Sequence, residues 1–214
     1  GLEVDALFLP AALKEQGARS DWRNHNMKEY TLELCGVKRV LPFIPIDGEK
    51  AFASFVVIGD TEMVNACAPV LAERIGAVDA VVTAEAKGIA LAYEISRILG
   101  LKEFSVARKS TKNYMKNTVS ASVHSITTSG EQNLYLDGTD VEKIRGKNVC
   151  LLDDVISTGE SLLALEALMK NAGASVVKKA AILAEGDAAS RDDIIFLQKL
   201  PLFNRTGEGE YEAL

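Results

Sequence analysis

Residues 148–161 read NVCLLDDVISTGES, and this stretch decides the fold. Val149-Cys150-Leu151-Leu152 is a short apolar run of the kind that a strand buried on both faces requires. Asp153 and Asp154 follow at its carboxyl end. Ser157-Thr158-Gly159-Glu160-Ser161 is a small, hydroxyl-rich turn, and SLLALEALMKNAG beyond it is patterned as an amphipathic helix that stops at Gly173. Backbone N–H groups at a helix start, with Ser and Thr hydroxyls beside them, make a pocket for a phosphate monoester. Gly159 permits close backbone approach. The two carboxylates lie one turn away, where they can accept hydrogen bonds from vicinal hydroxyls and favour positive charge nearby. The order strand, acid pair, hydroxyl turn, helix therefore suits a ribose 5-phosphate. Neither Gly-Lys-Ser/Thr nor GxGxxG is present, which excludes a Walker loop and a dinucleotide turn here.

LLDDVISTGES resembles the phosphoribosyl-pyrophosphate (PRPP) signature of type I phosphoribosyltransferases, with Glu160 where many members carry Gly or an apolar residue. The resemblance implies an open, mainly parallel α/β sheet flanked by helices, with a small hood and a flap. It also implies Asp153 and Asp154 on the ribose diol, Ser157, Thr158, Gly159, Glu160 and Ser161 on the 5′-phosphate, Mg²⁺ as cofactor, and a homodimer.

Working outward, buried strands alternate with helices, as an open α/β sheet demands. Val78–Thr83 is a strand, Glu85-Ala86-Lys87-Gly88 a loop, and IALAYEISRILG a helix ending at Gly100. This unit has the form of the signature without its acid pair. In the resembling family the corresponding loop binds pyrophosphate, so Glu85, Ala86, Lys87 and Gly88 are assigned there. Lys87 offers a point charge rather than a bidentate fork. Phe104–Ala107 is a third parallel strand, followed by Arg108, Lys109 and Lys112. Residues 104–130 contain no Asp or Glu, where a solvated face mixes signs, so the segment reads as anion-binding. In the family a flap at this position closes over pyrophosphate and keeps water from the sugar. Arg108, Lys109 and Lys112 match the adenine enzymes' basic run, and Ser120–Thr127 resembles the xanthine enzymes' flap. His124 is either a general acid or a half-exposed strand residue.

The flanking segments complete the expectation of one domain over 1–214, with 1–50 and 185–214 peripheral. Residues 4–17 have helical spacing, and Asn24-His25 weakly resembles a base-reaching segment of xanthine enzymes. Strands are expected at 31–35, 37–46 and 51–58, with Asp60 or Thr61 capping a helix that runs to Gly76. Asp137–Asp140 reads as a turn and Ser175–Ala184 as a strand. In the family the loop at Glu185-Gly186-Asp187 helps to hold the base. A last strand and turn lie in 191–203, and the acidic residues 206–214 read as a frayed end.

Composition sets the limits. The chain has 214 residues, 48% hydrophobic and 25% charged, which suffices for one α/β core. Its net charge of −6 does not suggest general nucleic-acid binding. No apolar run approaches a membrane span and no signal-peptide pattern is seen, which reads as cytoplasm. Cys35, Cys67 and Cys150 have no metal spacing and read as reduced thiols. The expected reaction is PRPP plus a purine giving a nucleoside monophosphate and pyrophosphate. Adenine is the favoured base, with xanthine or guanine behind it. The alternative from another class is a non-catalytic PRPP-sensing regulator.

Overall fold

The computed structural model describes residues 28–124 and 131–214. The expected helix at 4–17, the Asn24-His25 pair and residues 125–130 of the expected flap segment lie outside these residues. So does the side chain of His124, whose backbone ends a strand.

The centre is a five-stranded parallel sheet built from β5 (Ala80–Ala84), β6 (Ser105–Ala107), β9 (Asn148–Ile156), β10 (Ser175–Glu185) and β11 (Ile195–Leu200). The strand order is β11-β10-β9-β5-β6. Helices α1 (Thr61–Ile75) and α2 (Ile89–Ile98) pack with Val81, Cys150 and Leu152, while α3 (Gly138–Ile144) and α4 (Glu160–Ala172) pack with Val82, Val149 and Leu151. Alternate residues of one strand thus enter opposite cores. That is why the signature strand is apolar without a break.

Local chemistry sets the helix ends. Asp60 caps α1 by accepting the Met63 N–H at 3.1 Å, and Arg39 grips the same carboxylate at 2.7 and 2.8 Å. Gly173 ends α4 in the left-handed conformation. Asp137, expected in a plain turn, instead caps α3, accepting the N–H groups of Gly138 at 2.9 Å and Lys116 at 2.7 Å.

Three smaller units surround the sheet. A hairpin of β1 (Tyr30–Leu34) and β2 (Val37–Leu41) packs onto α1. A second hairpin, β7 (Val119–His124) with β8 (Glu131–Leu136), packs on α4 and is tied to the end of β6 by Arg108 and Tyr135. Its first strand falls within the segment expected as a flap. A four-stranded antiparallel sheet has the order β13-β12-β4-β3, from β3 (Phe43–Pro45), β4 (Lys50–Ala53), β12 (Leu202–Gly207) and β13 (Glu210–Ala213).

That sheet corrects three expectations. The strand expected over 51–58 stops at Ala53, whose partner Phe43 is the last rung beside Pro42, which has no N–H to offer. The single strand expected in 191–203 is two, parted by Pro201, so that Leu200 lies in the parallel sheet and Leu202 in the small one. The end expected to fray is β13. Its Tyr211 is buried with its ring 4.4 Å from that of Phe43, and Phe43 in turn meets the fully buried Phe203 at 4.7 Å. Aromatic packing outweighs the acidic composition of this segment. Among the described residues, no helix is long and apolar enough to cross a membrane.

Candidate active site

Strands β5 and β9 are neighbours, yet the chain leaves β5 toward one edge of the sheet and leaves β9 toward the other. Such a switch point opens a crevice at the strands' carboxyl ends. Pairing of β5 with β9 ends at Thr83 and Leu152, while β9 continues along β10 to Ile156. Asp153 and Asp154 are the first residues past that last rung. They lie within β9, slightly before its end.

The loop after β5 fits closely against them. A Cβ on Gly88 would collide with the Thr83 hydroxyl and lie 3.5 Å from Leu152 O and Asp153 Cα, so only glycine lets 85–88 approach this near. The Glu85–Ala86 peptide is cis. Lys87 Nζ reaches Asp154 Oδ1 at 3.4 Å. Asp154 is fully buried, its Oδ1 accepts the Val155 N–H at 2.9 Å, and its Oδ2 has no hydrogen-bond partner among the described residues. Asp153 Oδ1 accepts the Asp154 N–H at 2.9 Å. Burial first, and then the neighbouring Asp154, push the Asp153 carboxyl up to about 7. The burial is of the carboxyl group itself; the residue as a whole keeps some contact with water.

The other expected site residues fall into separate groups. Glu85 turns to the basic segment: its Oε2 lies 2.8 Å from Arg108 Nε, an ion pair whose N–H is not aligned as a hydrogen bond, and its Oε1 accepts the Lys109 N–H at 2.5 Å. Glu85 thus holds 108–109 in place, a job that the loop's assignment to pyrophosphate did not anticipate. Lys112 donates to Ser110 Oγ at 2.9 Å and joins neither Glu85 nor the acid pair. Ser157, Thr158 and Ser161 are exposed, and Gly159 opens α4 with φ of 81° and no side-chain cap. The Glu160 N–H reaches the Thr158 hydroxyl at 3.4 Å. Backbone N–H groups in the first turn of a helix are able to bind an anion.

Beside this loop is a cleft of about 440 Å³. Ser157, Thr158 and Lys87 line one part, Glu185, Gly186 and Asp187 another, and Phe52, Phe55 and Leu202 supply apolar walls. Sequence reasoning missed these walls. Their signal was the pair of aromatics in Phe52-Ala53-Ser54-Phe55, read only as strand. Burial raises the Glu185 carboxyl above its ordinary value, offset in part by Lys87.

The acid pair also bears on Mg²⁺. Asp154 Oδ2 is a buried carboxyl oxygen with no hydrogen-bond partner among the described residues. This fits an ion that binds phosphate oxygens, keeps several waters, and takes at most one or two carboxylates from the protein.

The parallel α/β sheet thus places a hydroxyl-rich loop and an acid pair at its switch point. The phosphoribosyl transferase domain family matches residues 60–207, and the chain belongs to that family. It has the type I phosphoribosyltransferase fold. A hypoxanthine/guanine phosphoribosyltransferase of Methanococcus voltae is 34% identical over 114 residues, which are 53% of this chain and 57% of the relative's length. HGPRTase-like protein 3 of Haloterrigena turkmenica is 31% identical over 166 residues, covering 75% of this chain and 85% of its own. The crystal structure of an adenine phosphoribosyltransferase from Thermoanaerobacter pseudethanolicus superposes with a TM-score of 0.61 at 22% identity, covering 74% of this chain and 95% of that one.

Proposed function

We propose that the chain transfers the phosphoribosyl group of PRPP to the nitrogen of a purine, with adenine as the preferred base, releasing pyrophosphate. The observation that carries this reading is the cleft itself. Its lining combines Ser157 and Thr158 of the hydroxyl-rich loop with the apolar side chains of Phe52, Phe55 and Leu202, and the acidic side chains in it, Glu185 and Asp187, are carboxylates. Ionised carboxylates only accept hydrogen bonds, which suits the 6-amino group of adenine better than a 6-oxo group.

In this reading the loop residues Ser157, Thr158, Gly159, Glu160 and Ser161 cradle the 5′-phosphate. Asp153 and Asp154 take the ribose hydroxyls, and their charge favours the cationic character that C1 gains as the bond to pyrophosphate lengthens. Lys87 and the 108–112 segment face the pyrophosphate, with Glu85 acting by holding Arg108 and Lys109. Mg²⁺, when bound, supplies charge neutralisation on the phosphate oxygens. The β7–β8 hairpin covers the reacting sugar and excludes water.

A second reading, a hypoxanthine/guanine enzyme, is favoured by the names of the relatives above and by Glu185. Its raised pKa keeps more of it protonated, and a protonated carboxyl can donate to a 6-oxo group. The test is pyrophosphate release from Mg²⁺-PRPP with adenine, hypoxanthine, guanine and xanthine offered separately. The expected result is turnover with adenine at a kcat/KM at least tenfold above the others. Preference for a 6-oxopurine selects the second reading. Saturable PRPP binding with no turnover on any base makes the chain a PRPP-sensing regulator.

A further inference from the structure

We propose that Arg191 is a side-chain cation of the 5′-phosphate subsite, donating from Nη1 to the phosphate held by residues 157–161. The proposal rests on the phosphoribosyl reading above and adds to it a residue from outside the signature.

Arg191 follows the 3₁₀ turn Gly186–Ser190, and its N–H bonds Ala188 O at 3.1 Å. Its guanidinium is fixed on one side. Nε donates to Asp193 Oδ1 at 2.8 Å and Nη2 to Asp193 Oδ2 at 2.7 Å. Lys179 Nζ shares that Oδ2 at 2.7 Å and reaches Glu166 of α4 at 2.6 Å. Arg191 and Lys179 together hold the Asp193 carboxyl well below the ordinary range, so the clamp stays charged wherever the protein is folded near neutral pH.

The clamp uses two of the three guanidinium nitrogens. Nη1 has no acceptor among the described residues, and it lies 2.7 Å from the point where a Cβ on Gly159 would be. The free nitrogen is therefore set directly against the glycine of the phosphate loop, and the loop has room for it because that residue has no side chain. The charge balance gives this placement its meaning. Residues 153–161 contain three acids and no Lys or Arg. The basic residues assigned to the other end of PRPP, Lys87, Arg108, Lys109 and Lys112, come from different loops. A phosphate dianion at the start of α4 would meet backbone N–H groups and hydroxyls beside Glu160. Arg191 brings a fixed positive charge to that place, and a guanidinium held by a carboxylate on one edge presents its remaining donors with little entropy left to lose.

The experiment compares wild type, Arg191→Gln, Arg191→Lys and Asp193→Asn in calorimetric titrations with ribose 5-phosphate, PRPP and inorganic pyrophosphate. Losing a charge-assisted hydrogen bond weakens binding about 10- to 100-fold. Arg191→Gln should show that loss for ribose 5-phosphate and PRPP alike, and keep pyrophosphate within about twofold. Arg191→Lys should recover part of it, and Asp193→Asn, which frees the guanidinium without removing its charge, should fall between. The loss should be larger at pH 8 than at pH 5.5, because a phosphate monoester gains its second charge near pH 6. Equal ribose 5-phosphate affinity in wild type and Arg191→Gln overturns the proposal alone. So does an equal loss for pyrophosphate, since that marks general damage to the fold. A wild-type protein that binds neither PRPP nor ribose 5-phosphate overturns the phosphoribosyl reading as well.

Discussion

Replacing Asp153 with Asn should move stability and activity in opposite directions, and only at one end of the pH range. The folded-state pKa of Asp153 is raised from 3.8 to about 7. A raised carboxyl favours the fold while it is protonated, below about pH 4, and that contribution is lost as pH rises toward 7. At 1.36 kcal/mol per unit, three units set an upper limit of about 4 kcal/mol. The residue is not fully closed from water, and the asparagine amide still bears a desolvation cost, so the expected difference is about 2 kcal/mol. Asn can keep the bond from the Asp154 N–H, which removes local unfolding as a confounding effect. Urea unfolding should thus find Asp153→Asn more stable than wild type by about 2 kcal/mol at pH 8 and by only about 0.5 kcal/mol at pH 4.5. Turnover at pH 8 should fall at least 100-fold, because a hydrogen bond from a sugar hydroxyl to a charged acceptor is worth about 1.5–3 kcal/mol and the charge opposite C1 is lost with it. A stability gain that is the same at both pH values would refute the burial-and-repulsion account of Asp153. Unchanged turnover would remove its diol assignment.

Gly88→Ala should abolish most turnover, because its methyl group collides with the Thr83 hydroxyl and forces the 85–88 loop away from Asp153; the cost in stability should be about 1–3 kcal/mol, read as a shift in the urea midpoint. Tyr211→Ala should cost about 3–5 kcal/mol by opening a cavity against Phe43, whereas a frayed terminus would lose nothing in the same measurement.

The sequence made the site legible where chemistry is local and left it opaque where chemistry is assembled at a distance. The signature strand, its acid pair and the glycine at the start of α4 are contiguous, so periodicity and turn chemistry located all three. Gly173 and Asp60 were legible for the same reason, since a cap is a property of four or five neighbouring residues. The apolar walls of the cleft were not. Phe52, Phe55 and Leu202 meet across about 150 residues, through strand pairs such as Leu202 with Phe52 that no local pattern encodes. Charge misled at the carboxyl end, where acidic composition suggested fraying although Tyr211 has an aromatic partner far upstream. At Glu85 the resemblance named only the loop, and the contacts that tie it to Arg108 and Lys109 depend on a segment more than twenty residues away.

These distant contacts explain how the two ends of one cleft can be coupled. Glu166 on α4, Lys179 on β10, and Asp193 and Arg191 before β11 form one chain of ion pairs. The chain links α4, whose start is the proposed phosphate site, to the 3₁₀ turn that begins with Gly186 and Asp187, both of which line the cleft. A phosphate drawn to Arg191 Nη1 would fix the orientation of that turn, and with it the carboxylates available to a base. The same sequence neighbourhood would then serve affinity at one end of the substrate pair and discrimination at the other. This coupling makes Asp193→Asn informative beyond PRPP binding: it should relax the ratio of kcat/KM between adenine and hypoxanthine, although Asp193 does not line the cleft. A ratio unchanged from wild type would confine the ion-pair chain to the phosphate end.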